Sequence, residues 1–102
     1  MMLVIATIHQ RSDAERIGRE LLTARKIAGY NLISTDSAFW WEGDILAQPE
    51  TIMLLRVPDH GYATVEATVI ELSGYDVPDI FSVQPNIVNE LFNRWVNSEA
   101  TG

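Results

Sequence analysis

Apolar residues come in blocks whose spacing changes along the chain, and the changes mark the elements. The opening run MMLVIATI is apolar for almost its whole length, which suits a short strand buried on both faces. In the following HQRSDAERIGRELLTARKIAGY, apolar side chains recur at Ala14, Ile17, Leu21, Ala24 and Ala28. That three-four spacing is one face of a helix. Ser12 with Glu15 three residues on predicts a capping box at its start, and Gly29 predicts its stop.

YNLISTDSAFWWEGDI and ETIMLLRV read as two strands joined through a turn near Gly43. In the first of them Phe39 and Trp41 point to one face and Trp40 to the other. DHGYATVEATVIELSG carries many β-branched residues, yet Tyr62, Val65, Val69 and Leu72 keep helical spacing. Its length, with Asp59 as N-cap and Gly74 as terminator, decides for helix. DIFSVQ predicts a fourth strand ended by Pro85. NIVNELFNRWV predicts a short closing helix capped by Asn86, with Val88, Leu91 and Trp95 on one face.

The predicted order is β-α-β-β-α-β plus a terminal helix. This is the α+β, ferredoxin-like plan: an antiparallel four-stranded sheet with two helices on one face. The second face would be open to water in a monomer. Phe39, Trp40 and Trp41 beside the apolar IMLLRV form a patch of the size that marks an interface, so a homo-oligomer joined through the hairpin is expected. The competing expectation is that the terminal helix, with Phe92 and Trp95, folds over the patch.

Composition narrows the function. The chain has 102 residues, 47% of them hydrophobic and 21% charged, enough for one globular domain, read as spanning 1–102. Its net charge of −7 comes from 14 acidic and 7 basic residues, which speaks against nucleic-acid binding. There is no cysteine, which excludes disulfides, thiolate metal sites and cysteine nucleophiles. The opening apolar run is too short to span a membrane and lacks the charge layout of an export signal, so no membrane is expected and the cytoplasm is the expected compartment.

WWEGDI and GYDVPDI, in this order and at this separation, resemble the CutA divalent-cation-tolerance family. AGYNLI aligns as well, and the resemblance runs from about Leu3 to Trp95. It implies a homotrimer held through long hairpins, a response to metal ions, and an association with copper ion binding and other divalent cations. The family usually has His-Pro before the tyrosine, where this chain has Ser73 and Gly74. The family's cysteine falls on Gly29, and its late-strand lysine on Arg56. The two ligands that favour copper are therefore missing. No cofactor is certain; a divalent cation such as copper or zinc would bind weakly.

The helix-to-strand junction SGYDVPDI concentrates chemical handles. Gly74 and Pro78 are explained by backbone geometry, whereas Tyr75 and Asp76 are candidates for recognising a ligand or a neighbouring subunit. An inter-subunit cleft lined by Trp41, Tyr75 and Asp76 is expected, with Glu42 nearby and Arg56 as its positive group. Arg56 calls for an acidic partner, Glu42 or Asp76, and such a pair alone would explain it. His9 and His60 share no ligand motif, and Glu42, Asp44 and Glu50 read as solvated turn carboxylates. Arg11, in IHQRSD, is the nearest thing to an anion-binding loop but has no glycines around it. Catalytic motifs are absent, so no enzyme activity is expected. A non-catalytic CutA-like trimer is the first reading. The alternative is a sensor resembling the PII class, binding a small molecule between subunits; the short hairpin and scarce basic residues disfavour it.

Overall fold

The computed structural model describes all 102 residues. In chain order it contains β1 (Met2–Ile8), α1 (Arg11–Thr23), β2 (Gly29–Trp41), β3 (Asp44–Val57), α2 (Tyr62–Ser73), β4 (Ile80–Val83) and α3 (Glu90–Glu99). The strands form one antiparallel sheet in the order β2-β3-β1-β4. This is the ferredoxin-like α+β arrangement with an added terminal helix.

Strand alternation builds the core. Met2, Val4, Ala6 and Ile8 of β1 and Met53, Leu55 and Val57 of β3 are buried against Ala14, Ile17 and Leu21 of α1 and Val65 and Val69 of α2. The remaining strand positions face the other side. There the register aligns Phe81, Ile5 and Leu54 in one row and Thr7, Ile52 and Ile33 in the next. Phe81 is 50% and Ile33 46% exposed, so this face is apolar and uncovered. IMLLRV is thus two-faced, half of it core and half of it open surface.

The helix ends differ from expectation. α1 begins after Gln10 with no side-chain cap, and the capping box does not form because Ser12 already lies inside the first turn. Glu15 instead accepts from Arg11 Nε at 3.2 Å. Nor does Gly29 stop the helix. Arg25, at φ 57, takes the left-handed position, and the Lys26 and Arg25 N–H groups bond Leu21 and Leu22 carbonyls at 3.0 and 3.1 Å. This double closure satisfies the orphan carbonyls of Leu21 and Leu22, with the left-handed residue four positions before Gly29.

Asp59 does not cap α2, whose N-cap is Gly61. Its carboxylate lies 2.5 Å from the Met1 ammonium, which also donates to Asn93 Oδ1 at 2.6 Å. Gly74, at φ 68, closes α2 as expected. Asn86 caps nothing; Asn89 does, accepting from the Phe92 N–H at 3.0 Å. α3 therefore starts four residues later than its predicted cap, and Val88 lies outside it. Val96 is its buried side chain, while Leu91 is exposed and Phe92 and Trp95 stack on each other at 5.8 Å. The terminal helix does not fold over the aromatic patch.

β2 and β3 stay in one unbroken register from Gly29↔Arg56 to Trp41↔Asp44. β1 pairs with β3 only as far as Ile8↔Thr51. The seven pairs from Thr35↔Glu50 outward therefore have no third strand. They form a two-stranded arm about 20 Å long at strand rise. The arm stretches the molecule to 44 Å and its radius of gyration to 14.1 Å, against about 13 Å for a compact chain of this length.

Candidate cleft between the hairpin arm and the α2–β4 junction

The tip of the arm is a two-residue turn, Glu42 at φ 50 and Gly43 at φ 87. Two positive φ values in succession match the right-handed twist of the flanking strands, and glycine meets that demand without steric cost. Pro49 sits inside β3 although proline lacks a donor. By the alternation of the ladder its nitrogen faces away from β2, toward the side that β1 no longer reaches, so no sheet bond is lost.

Where β1 ends, the arm continues and the chain between α2 and β4 comes alongside. The corner between them is a cleft of about 660 Å³. Phe39, Trp41 and Leu46 of the arm form one wall; Tyr75, Asp76 and Val77 of the junction form another. Thr7 and His9 close the floor beside Glu50 and Asp79. The junction is pinned to the sheet by two hydrogen bonds. The Thr7 N–H donates to the Asp79 carbonyl at 3.0 Å, and the His9 N–H donates to the Tyr75 hydroxyl at 2.7 Å. Tyr75 thus packs its ring against the core and turns its oxygen to the β1–α1 turn. That orientation leaves the hydroxyl proton free to donate elsewhere.

The cleft was expected between subunits; instead one chain alone brings Trp41, Tyr75 and Asp76 together, because the arm runs past the end of β1 and alongside the junction. Glu42, Arg56 and Pro78 do not line the cleft. Glu42 serves the turn at the far tip. Pro78 is half-buried in the junction backbone. Arg56 lies at the opposite end of β3, in register with Gly29. Its NH1 donates to Asn31 Oδ1 at 2.5 Å, so its partner within the chain is an amide oxygen, neither Glu42 nor Asp76. Gly29 makes room for this: a Cβ there would stand 2.9 Å from the guanidinium.

Glu50, Phe39 and His9 join Asp76 and Asp79, the carboxylates that flank Pro78, in one site, a grouping that local spacing does not signal. Its sequence neighbours make Glu50 read as a turn carboxylate, but pairing with Thr35 places it at the arm's base. Arg11 is held by Glu15 and, at 3.1 Å, by Ser34 Oγ. Those contacts occupy the guanidinium beside the α1 N-terminus.

Two groups with displaced pKa values lie elsewhere. The hydrogen bond from the Met1 ammonium holds the Asp59 carboxyl below its ordinary value, against a smaller opposing effect of burial. The hydrogen bond from Tyr62 to Glu66, 2.6 Å long, holds that phenol above its ordinary value, with burial adding to it. No three His, Asp or Glu side chains gather closely enough in one chain to hold a metal ion. The copper association implied by the motifs therefore finds no ligand set within the chain. No helix is long and apolar enough to cross a membrane.

The family model described as CutA1 divalent ion tolerance protein matches residues 2–99. A divalent-cation tolerance protein of Pyrococcus horikoshii is 31% identical over 99 residues, covering 97% of each chain. That of Thermotoga maritima is 30% identical over 94 residues, covering 91% of this chain and 93% of its own. The solved structure of a periplasmic divalent cation tolerance protein from Archaeoglobus fulgidus superposes with a TM-score of 0.93 at 28% identity. That match covers 98% of this chain and 99% of the other.

Proposed function

The chain belongs to the CutA1 divalent ion tolerance family, and from that premise we propose that it acts as a non-catalytic homotrimer in the tolerance of, or response to, divalent cations, copper included. The observation that carries the reading is the arm. An isolated two-stranded ribbon is marginal in water, yet this one projects seven pairs beyond the sheet with Trp40 73% exposed. Beside it the sheet offers a second uncovered apolar face. Both demands are met when arms and sheet faces of several copies cover one another.

In such an assembly Arg56, which has no carboxylate partner in its own chain, is free to meet the acidic tip or cleft of a neighbour. Glu42, Asp76 and the junction at Pro78 are the proposed receivers. Metal, where taken up, is held weakly by oxygen ligands, since no soft ligand and no preformed cluster is available. The proposed compartment is the cytoplasm.

Native mass spectrometry of the purified protein, alone and with Cu²⁺, Zn²⁺ or ATP, tests the reading. A trimer that leaves ATP unbound is expected, with weak uptake of metal. A monomer removes the oligomer and every inter-subunit contact. Stoichiometric ATP binding replaces this reading with a PII-like sensor. The cleft speaks against that outcome, because it carries no Lys or Arg to hold phosphates.

A further inference from the structure

The cleft has an unusual charge balance for a ligand site. Glu50, Asp76 and Asp79 line it, and no lysine or arginine does. None of the three carboxylates forms an ion pair within the chain. Glu50 receives only a long contact from the Gln48 amide, at 3.4 Å. Facing these charges are the aromatic surfaces of Phe39, Trp41 and Tyr75, with Trp41 43% exposed.

Each ligand class can be weighed against that lining. A phosphate or carboxylate ligand would meet three like charges, with the His9 imidazole as the one lining group able to oppose them. A bare divalent ion is best held by several carboxylates or imidazoles converging on one point, and no three of these gather in the chain. A bulky monovalent cation fits both facts. Its charge can be shared by carboxylates too far apart to chelate a metal, and its apolar body can lie on the aromatic wall, where the ring quadrupole also attracts positive charge. The volume of about 660 Å³ is in the range of small-molecule sites.

We propose that this cleft binds a protonated organic amine, its ammonium among Glu50, Asp76 and Asp79 and its apolar or aromatic body against Trp41 and Tyr75. The proposal rests on the reading of this cleft as a recognition site, but the lining is complete in one chain. If a neighbour's Arg56 enters, it balances one carboxylate and leaves two.

Phenethylammonium is the probe, titrated calorimetrically into the full chain, with phenylacetate and phenethyl alcohol as anionic and neutral analogues. Saturable binding of the amine is expected, with a dissociation constant of about 1 mM or tighter. The analogues should bind at least about tenfold more weakly, as should the amine to an Asp76→Asn/Asp79→Asn variant. Both aspartates are exposed on the junction, so that variant keeps the fold. Raised salt should weaken the interaction. Equal binding of phenylacetate, undiminished binding by the double variant, or no saturable amine binding up to about 10 mM overturns the proposal. Native mass spectra of the same samples separate the two readings. A trimer that ignores the amine refutes this site alone, whereas a monomer that binds it refutes the trimer alone.

Discussion

Replacing Gly18 by alanine sets two effects of similar size against each other. Gly18 lies in the interior of α1 with the ring of Tyr30, from β2, across it. A Cβ at this position would stand 2.7, 2.8 and 2.9 Å from three carbons of that ring. Carbon atoms sit comfortably at about 3.5 Å or more, so the ring would have to withdraw by roughly 1 Å. Tyr30 packs against the hydrophobic core, and displacing a packed side chain costs about 1–3 kcal/mol. Alanine in a helix interior returns about 1 kcal/mol relative to glycine.

The expected net is a loss of about 1 kcal/mol, or some 4–8 °C in Tm for a domain of this size. The comparison needs equal protomer concentrations, because association contributes to apparent stability. A Tyr30→Leu background supplies the internal control. With the ring gone, Gly18→Ala should stabilise by about 0.5–1 kcal/mol. The reasoning fails if the substitution raises Tm with Tyr30 in place. It fails equally if the loss persists in the Tyr30→Leu background, since something other than the ring would then fill the glycine's space.

Tyr75→Phe removes the acceptor of the His9 N–H and should cost about 0.5–1.5 kcal/mol, read from guanidinium unfolding, with faster amide exchange at His9; unchanged exchange would mean the bond does not pin the junction. Asp59, held below its ordinary value of 3.8 by the Met1 ammonium, contributes stability that is in place above that value and drains away as pH falls through its depressed folded value. Asp59→Asn should therefore lower stability at neutral pH and flatten its decline on acidification; identical pH profiles for the two proteins would refute this.

The order of elements was legible because each rests on local spacing: Ala14, Ile17 and Leu21 mark a helix whatever surrounds them. Apart from the Gly74 stop of α2, helix ends were not, since their closure depends on which residue the chain needs next. Arg25 takes the left-handed position that glycine was expected to fill, and Gly29 is used to seat a guanidinium from another strand. Asp59 was drawn from capping by an amino group far away in sequence. The cleft was half legible. Trp41, Tyr75 and Asp76 stood out as chemically rich neighbours of turns. Glu50 and Phe39 joined them only through the register, a long-range property that spacing along one strand does not reveal. Within one chain the register puts Arg56 and the acidic tip at opposite ends of β3, so a carboxylate partner for Arg56 has to come from a neighbouring copy.

That register has a consequence for how the arm can change length. Side chains alternate with period two. One residue added to each strand between the sheet and the tip would move Trp41 about 3.4 Å outward and turn it to the other face. Two residues added to each strand would restore its facing at roughly twice that displacement. An insertion in a single strand would have to bulge, re-aiming everything beyond it. Arm lengths in chains built this way are expected to differ in steps of two paired residues. The arm is in effect a ruler graduated in pairs, and any partner that reads its tip meets Trp41 face-on or not at all.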